Sequence, residues 1–75
     1  MGHNYAKPAT AEQRLGRVLS RIPPDWAVSV EREPMSGKWR ATAHAPGEAG
    51  QWAGDASGLV EALEAAWRLN RAPAG

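Results

Sequence analysis

The chain has 75 residues, no cysteine and two histidines, and nine Lys and Arg stand against eight Asp and Glu for a formal net charge of +1. That is sequence for one small domain. It is too poor in ligands for a Cys/His zinc site, and too nearly neutral for a whole-molecule field to steer it to nucleic acid or to an anionic membrane.

A core of this size supplies only about 3–5 kcal/mol of net stability unless disulfides or a metal add to it. Bulky packing is what remains, and four tryptophans, Trp26, Trp39, Trp52 and Trp67, with no phenylalanine, are the residues available for it. The lack of cysteine matches a reducing compartment. No apolar stretch approaches the roughly 20 residues of a membrane span. The opening MGHNYAKPAT lacks the apolar segment of a signal peptide, and Ala6 stands where a myristoylation pattern needs Ser or Thr. The expectation is a soluble cytoplasmic protein with no lipid anchor, no metal and no cofactor.

Residues 1–9 read as a loose N-terminal arm with little apolar content, and a single domain is expected over residues 10–72, with residues 73–75 as a tail. Thr10 followed by Gln13 is a capping-box pattern that starts a helix. Leu15, Val18, Leu19 and Ile22 then fall on one apolar stripe at helical spacing. Pro23-Pro24 ends the helix, because a residue before proline is pushed out of the helical region. Arg14, Arg17 and Arg21 form a second stripe beside the apolar one, which should be exposed and which Lys7 could extend.

DWAVSVERE alternates with period two, with Trp26, Val28, Val30 and Arg32 on one face. KWRATAHA does the same with Trp39, Ala41, Ala43 and Ala45. A four-residue loop over 34–37 makes these a hairpin in which Glu33 faces Lys38, Arg32 faces Trp39, Glu31 faces Arg40 and Val30 faces Ala41. One register thus satisfies the apolar and the electrostatic pattern together, and a slip of one residue would bury charge and expose Trp39. PGEAG is a turn signal, and QWAGD is a short third strand, residues 51–55, with Trp52 and Gly54 on one face and an edge free to pair across a dimer axis. The even spacing of Trp26, Trp39 and Trp52 marks no repeat, since the flanking residues differ. SGLVEALEAAWRLNR is a second helix, capped by Ser57, with Leu59, Val60, Leu63, Ala66 and Trp67 on one face, a Glu64–Arg68 pair on its flank and Pro73 beyond its end.

The fold class is therefore α+β in the order α-β-β-β-α: an antiparallel three-stranded meander with both helices on one face and the other face polar and wet. The alanines of the middle strand let the helices approach closely, and the tryptophans fill the flanks.

No G-x-S-x-G, H-E-x-x-H or cysteine nucleophile occurs. Ser29, Thr42 and His44 should be neighbours on the sheet, but nothing in the sequence orients the histidine. Glu31 and Glu33 are accounted for by their basic partners and make a poor acid/base pair. PGEAGQWAG lacks the order of a phosphate-binding loop. The expectation is a non-enzyme, with Arg14, Arg17, Arg21, Arg40 and His44 as the partner-binding residues.

Three resemblances bear on function. The element order resembles the double-stranded-RNA-binding domain, but the position where that family carries lysines reads DASGLVEAL, with Asp55 and Glu61, which argues against that activity. Gly37, Trp39, Ala41, Pro46, Gly47, Gly54, Asp55, Glu61, Ala62 and Leu63 loosely resemble the pattern of HicB-like antitoxin domains, with extra residues between Asp55 and Glu61; that resemblance implies an antitoxin with a toxin partner. MGHN, with the Ala- and Arg-rich, Lys-poor composition, resembles small proteins of alphaproteobacterial phages and prophages. In size and setting this is similar to anti-CRISPR proteins. It implies a protein that binds a host protein or nucleoprotein complex as a monomer or homodimer, with no membrane involved and direct nucleic-acid binding through the Arg stripe as the alternative.

Overall fold

The computed structural model describes residues 10–71. The expected arm, the tail, Lys7 and Pro73 lie outside the described residues. Helix α1 spans Ala11–Arg21, strand β1 Ala27–Arg32, β2 Trp39–His44, β3 Ala53–Ala56 and helix α2 Leu59–Arg71. The sheet is antiparallel in the order β1-β2-β3.

Local chemistry sets each boundary. The Gln13 amide donates to the Thr10 hydroxyl, and the Thr10 amide donates to the Gln13 side chain, both at 3.1 Å, which satisfies orphan donors at the start of α1. Ile22, extended in front of Pro23, ends it. The β1–β2 register runs from Ala27 opposite His44 to Arg32 opposite Trp39, as the charge and apolar patterns demand. In the connecting loop Gly37 takes φ +73°, where a side chain would be strained, and its amide donates to Glu33 O. Helix α2 begins at Leu59, two residues after the expected cap at Ser57, and the Glu61 side chain folds back beside Gly58.

The core is thin and made of small residues. Ala41 and Ala43 of β2 and Ala62 and Ala66 of α2 are wholly inaccessible, joined by Leu63 of α2 and by Val18 and Ile22 from α1. Alanine facing alanine lets α2 settle close over β2 and β3. Trp26, Trp39 and Trp67 pack around this cluster, with Trp26 meeting Trp67 edge to face at 5.6 Å between ring centres.

The α+β class, the α-β-β-β-α order and the packing of the helices against the sheet are as the sequence implies, and two details differ. First, the helices do not roof the whole apolar face. Helix α1 lies along α2, and α2 barely reaches β1. Val28 and Val30 share the face of Ala43 and Ala41 yet stay 40% exposed. Second, the opposite face is not wet throughout. The segment between β2 and β3 folds back so that Gly50 lies against Thr42 and His44, and Thr42 is buried with its hydroxyl unpartnered among the described residues. Trp52 also sits on this outer face, beside the Arg40 guanidinium at 4.7 Å, and takes no part in the core.

Candidate functional site

Arg14, Arg17 and Arg21 recur at i, i+3 and i+7 on α1, so they share a helix face. Glu61, Glu64, Arg68 and Arg71 follow the same rhythm on α2. Arg14 aligns the two stripes. Its Nε donates to Glu64 Oε2 at 3.2 Å, its Nη2 to Glu64 Oε1 at 2.6 Å and its Nη1 to Glu61 Oε2 at 3.3 Å. The start of α1 therefore meets the start of α2, and the helices run side by side in the same direction.

Every later position then opposes arginine to arginine. Arg14, Arg17, Val18 and Arg21 line one wall of a groove of about 330 Å3, and Glu64, Trp67, Arg68 and Arg71 line the other. Five of the chain's seven arginines meet there, around one carboxylate among the described residues. Arg17, Arg21, Arg68 and Arg71 are exposed, and none has an ion-pair partner among the described residues. The expected Glu64–Arg68 pair is not formed, because Glu64 is held bidentately by Arg14.

The electrostatics follow from that contact. The hydrogen bond from Arg14 holds the Glu64 carboxyl below the ordinary range against the opposing cost of its partial burial, and the fields of Arg14, Arg68 and Arg17 act in the same direction. The Arg14 guanidinium is raised, chiefly by the same hydrogen bond. Arg14 is thus a positioning residue between the helices, whereas Arg17 and Arg21 present free guanidinium groups. The Trp67 indole Nε1 is buried with no acceptor among the described residues.

The sequence places Arg40 and His44 in the binding set too, but neither lines the arginine groove: Arg40 lies on the outer face of the sheet, and His44 lines an adjoining depression with Trp26, Asn70 and Arg71, the last of which is shared with the groove. Arg40 Nε donates to Glu31 at 2.9 Å while its guanidinium lies over Trp52, so its charge is already answered. Glu33 does not reach Lys38 with its side chain; its carboxylate accepts from the Met35 amide and braces the turn. His44 Nδ1 lies 3.2 Å from Ala45 O, and no hydrogen bond joins His44 to Ser29 or Thr42 among the described residues. Thr42 is sealed under Gly50, so this trio does not form a nucleophile and base in reach of each other.

Arg68 and Arg71 are what sequence reasoning missed. Their signal was the shared i, i+3, i+7 rhythm of the two helices, but it means nothing until the helices are known to run in parallel. Comparison of this chain with known protein families, with curated proteins and with solved structures yields no match.

Proposed function

We propose that this protein is a non-enzymatic binding module that docks on a nucleoprotein complex by gripping its nucleic-acid backbone with the α1–α2 arginine groove. The observation that carries this reading is the meeting of Arg17, Arg21, Arg68 and Arg71 on one groove, with no carboxylate in ion-pair contact with any of them among the described residues. Guanidinium groups match phosphate oxygens in planar, bidentate geometry. Phosphate contacts of this kind give affinity without sequence preference.

The N-terminal MGHN and the Lys-poor, Arg-rich composition support a phage or mobile-element setting, in which the complex is a CRISPR–Cas surveillance complex of the host. Expression of the protein in a CRISPR-bearing host then suppresses interference against an incoming plasmid. Undiminished interference removes that setting and leaves the groove reading intact.

The groove itself is tested by anisotropy of labelled single- and double-stranded nucleic acid against salt. Four engaged phosphates on a duplex give a slope of log K against log salt of about −3.6, or about a 150-fold loss of affinity from 50 to 200 mM. Replacing Arg17, Arg21, Arg68 and Arg71 by Ala abolishes binding, and replacing them by Lys retains most of the salt slope. Binding that is absent or insensitive to salt refutes the reading.

A further inference from the structure

Strand β1 is an edge strand with unusual properties. The Glu33 amide donates to Lys38 O, so Glu33 and Lys38 are a hydrogen-bonded pair of the hairpin. Alternation along an antiparallel ladder then makes Glu31–Arg40, Ser29–Thr42 and Ala27–His44 hydrogen-bonded pairs as well. Val28, Val30 and Arg32 therefore aim their amide and carbonyl groups outward from the sheet, where no strand takes them up among the described residues. Their side chains share the helix-side face, where α2 does not reach to cover the two valines.

Edge strands are normally blunted by proline, lysine, bulges or short length. Residues 27–32 have no proline, no lysine and an unbroken register with β2, and the two charges they carry are turned back onto β2, Glu31 paired with Arg40 and Arg32 lying over Trp39. The other edge is blunted. Strand β3 has four residues and a bulge, in which Gly54 and Asp55 both stand opposite Arg40, with Asp55 in the left-handed region at φ +60°. Just before it, Asn70 of α2 takes up both the amide and the carbonyl of Gln51 at 2.9 and 3.0 Å. The dimer edge that the sequence suggests at residues 51–55 is thus the protected one.

We infer that β1 pairs antiparallel with β1 of a second copy of this chain, about a two-fold axis at Ser29, to form a continuous six-stranded sheet. The self-complementary placing of the two exposed valines either side of Ser29 selects the second copy and this register. With the axis at Ser29, Val28 faces Val30 of the other copy twice over, Trp26 faces Arg32, and Glu31 faces Ala27, so no like charges meet within residues 26–32, and the carboxylates of Asp25 and Glu33 come opposite each other only beyond the ends of the strand. An axis at Val30 sets Arg32 against Val28 and Glu31 against Ser29, and an axis at Glu31 brings two carboxylates face to face, which is destabilising. Of these three registers only the one at Ser29 gives both exposed valines apolar partners. The isologous pairing closes on itself, so it makes a dimer and not a fibre.

Sedimentation or light scattering across a dilution series should show a mass rising to twice the 8.0 kDa of the chain. A constant 8.0 kDa overturns the proposal. Val30→Pro removes one outward amide and leaves the β1–β2 ladder untouched, because proline is tolerated where the N–H faces away from the sheet. That variant should stay monomeric with an unchanged far-UV spectrum, and the double variant V28K/V30K, whose backbone is intact, should do the same. Persistence of the dimer in V28K/V30K overturns the proposal.

The chain has no cysteine, which permits a direct test of register. In the dimer Ser29 opposes its own copy as a non-hydrogen-bonded pair with Cα atoms about 4.5 Å apart. That lies within disulfide range, so S29C oxidises to a covalent dimer. Glu31 lies about 14 Å from its copy, and E31C does not. Equal crosslinking of the two variants refutes the register and the two-fold axis with it.

Discussion

Among the described residues Glu64 is the one carboxylate lining the arginine groove, and replacing it by Gln separates the two things it does. In the native protein it accepts a bidentate hydrogen bond from Arg14, which ties α1 to α2, and it subtracts one charge from a surface with four unanswered guanidinium groups. Glu64→Gln keeps the shape, weakens the tie and releases Arg14 Nε and Nη2 toward the groove while Glu61 still holds Nη1. Four cations on duplex phosphates correspond to a salt slope of about −3.6, and a fifth takes it to about −4.5. The variant should therefore bind nucleic acid more tightly at low salt, with the steeper slope, while melting at a lower temperature than the native chain at neutral pH. The melting difference has a defined pH course. The folded-state pKa of Glu64 is lowered, so its contribution is fully present above the unfolded carboxyl value of about 4.3 and is lost as pH falls below that value. Anisotropy against salt and thermal melts over a pH series measure both effects on one pair of proteins. A slope no steeper than native refutes the view that Glu64 restrains a phosphate-binding groove. A melting gap that persists about two units below the unfolded pKa refutes the ionic origin of the tie.

Thr42→Val should stabilise the domain by about 1 kcal/mol in chemical denaturation, because it replaces a buried hydroxyl without a partner by a methyl of the same shape. Gly50→Ala should destabilise by about 1–3 kcal/mol, since a Cβ there runs into the Thr42 hydroxyl and the His44 Cβ on a sheet that cannot give way. Asn70→Ala should cost about 1–3 kcal/mol and speed hydrogen exchange at the Gln51 amide, whose acceptor is the Asn70 side chain.

The parts of the fold that the sequence made legible are those governed by local chemistry and by pattern of fixed period. Thr10 and Gln13 announce the helix start because a capping box needs only those two residues. The β1–β2 register follows from alternation, since only one alignment sets Glu31 against Arg40 while keeping Val30 beside Ala41. What could not be read depends on how elements lie on one another. Trp52 has the same alternating context as Trp39, and only the bulge at Gly54-Asp55 and the stack on Arg40 settle that it faces outward. The exposure of Val28 and Val30 follows from α1 packing against α2 and the core at the middle strand, which leaves the edge at β1 uncovered. Arg14 and Arg17 look equivalent along the chain, yet one is neutralised by α2 and the other is not, because the stripe on α2 changes sign between Glu64 and Arg68.

That change of sign is the strongest physical argument for function. Arginine near the end of a helix is expected, since cations there complement the macrodipole, and Arg21, Arg68 and Arg71 all lie in last turns. Each helix considered alone needs no other explanation. Two parallel helices, however, bring both C-terminal ends together, and the mutual repulsion of four guanidinium groups acts against packing. The remedy was at hand within the same helix pair, because Glu61 and Glu64 already answer Arg14 one turn earlier. A domain with no large, fully buried side chain among its described residues has little stability to spare for repulsion that does nothing. Carboxylates are used where the helices are held together and withheld where the groove opens, which is the distribution a surface needs if its charge is completed by the phosphates of a partner.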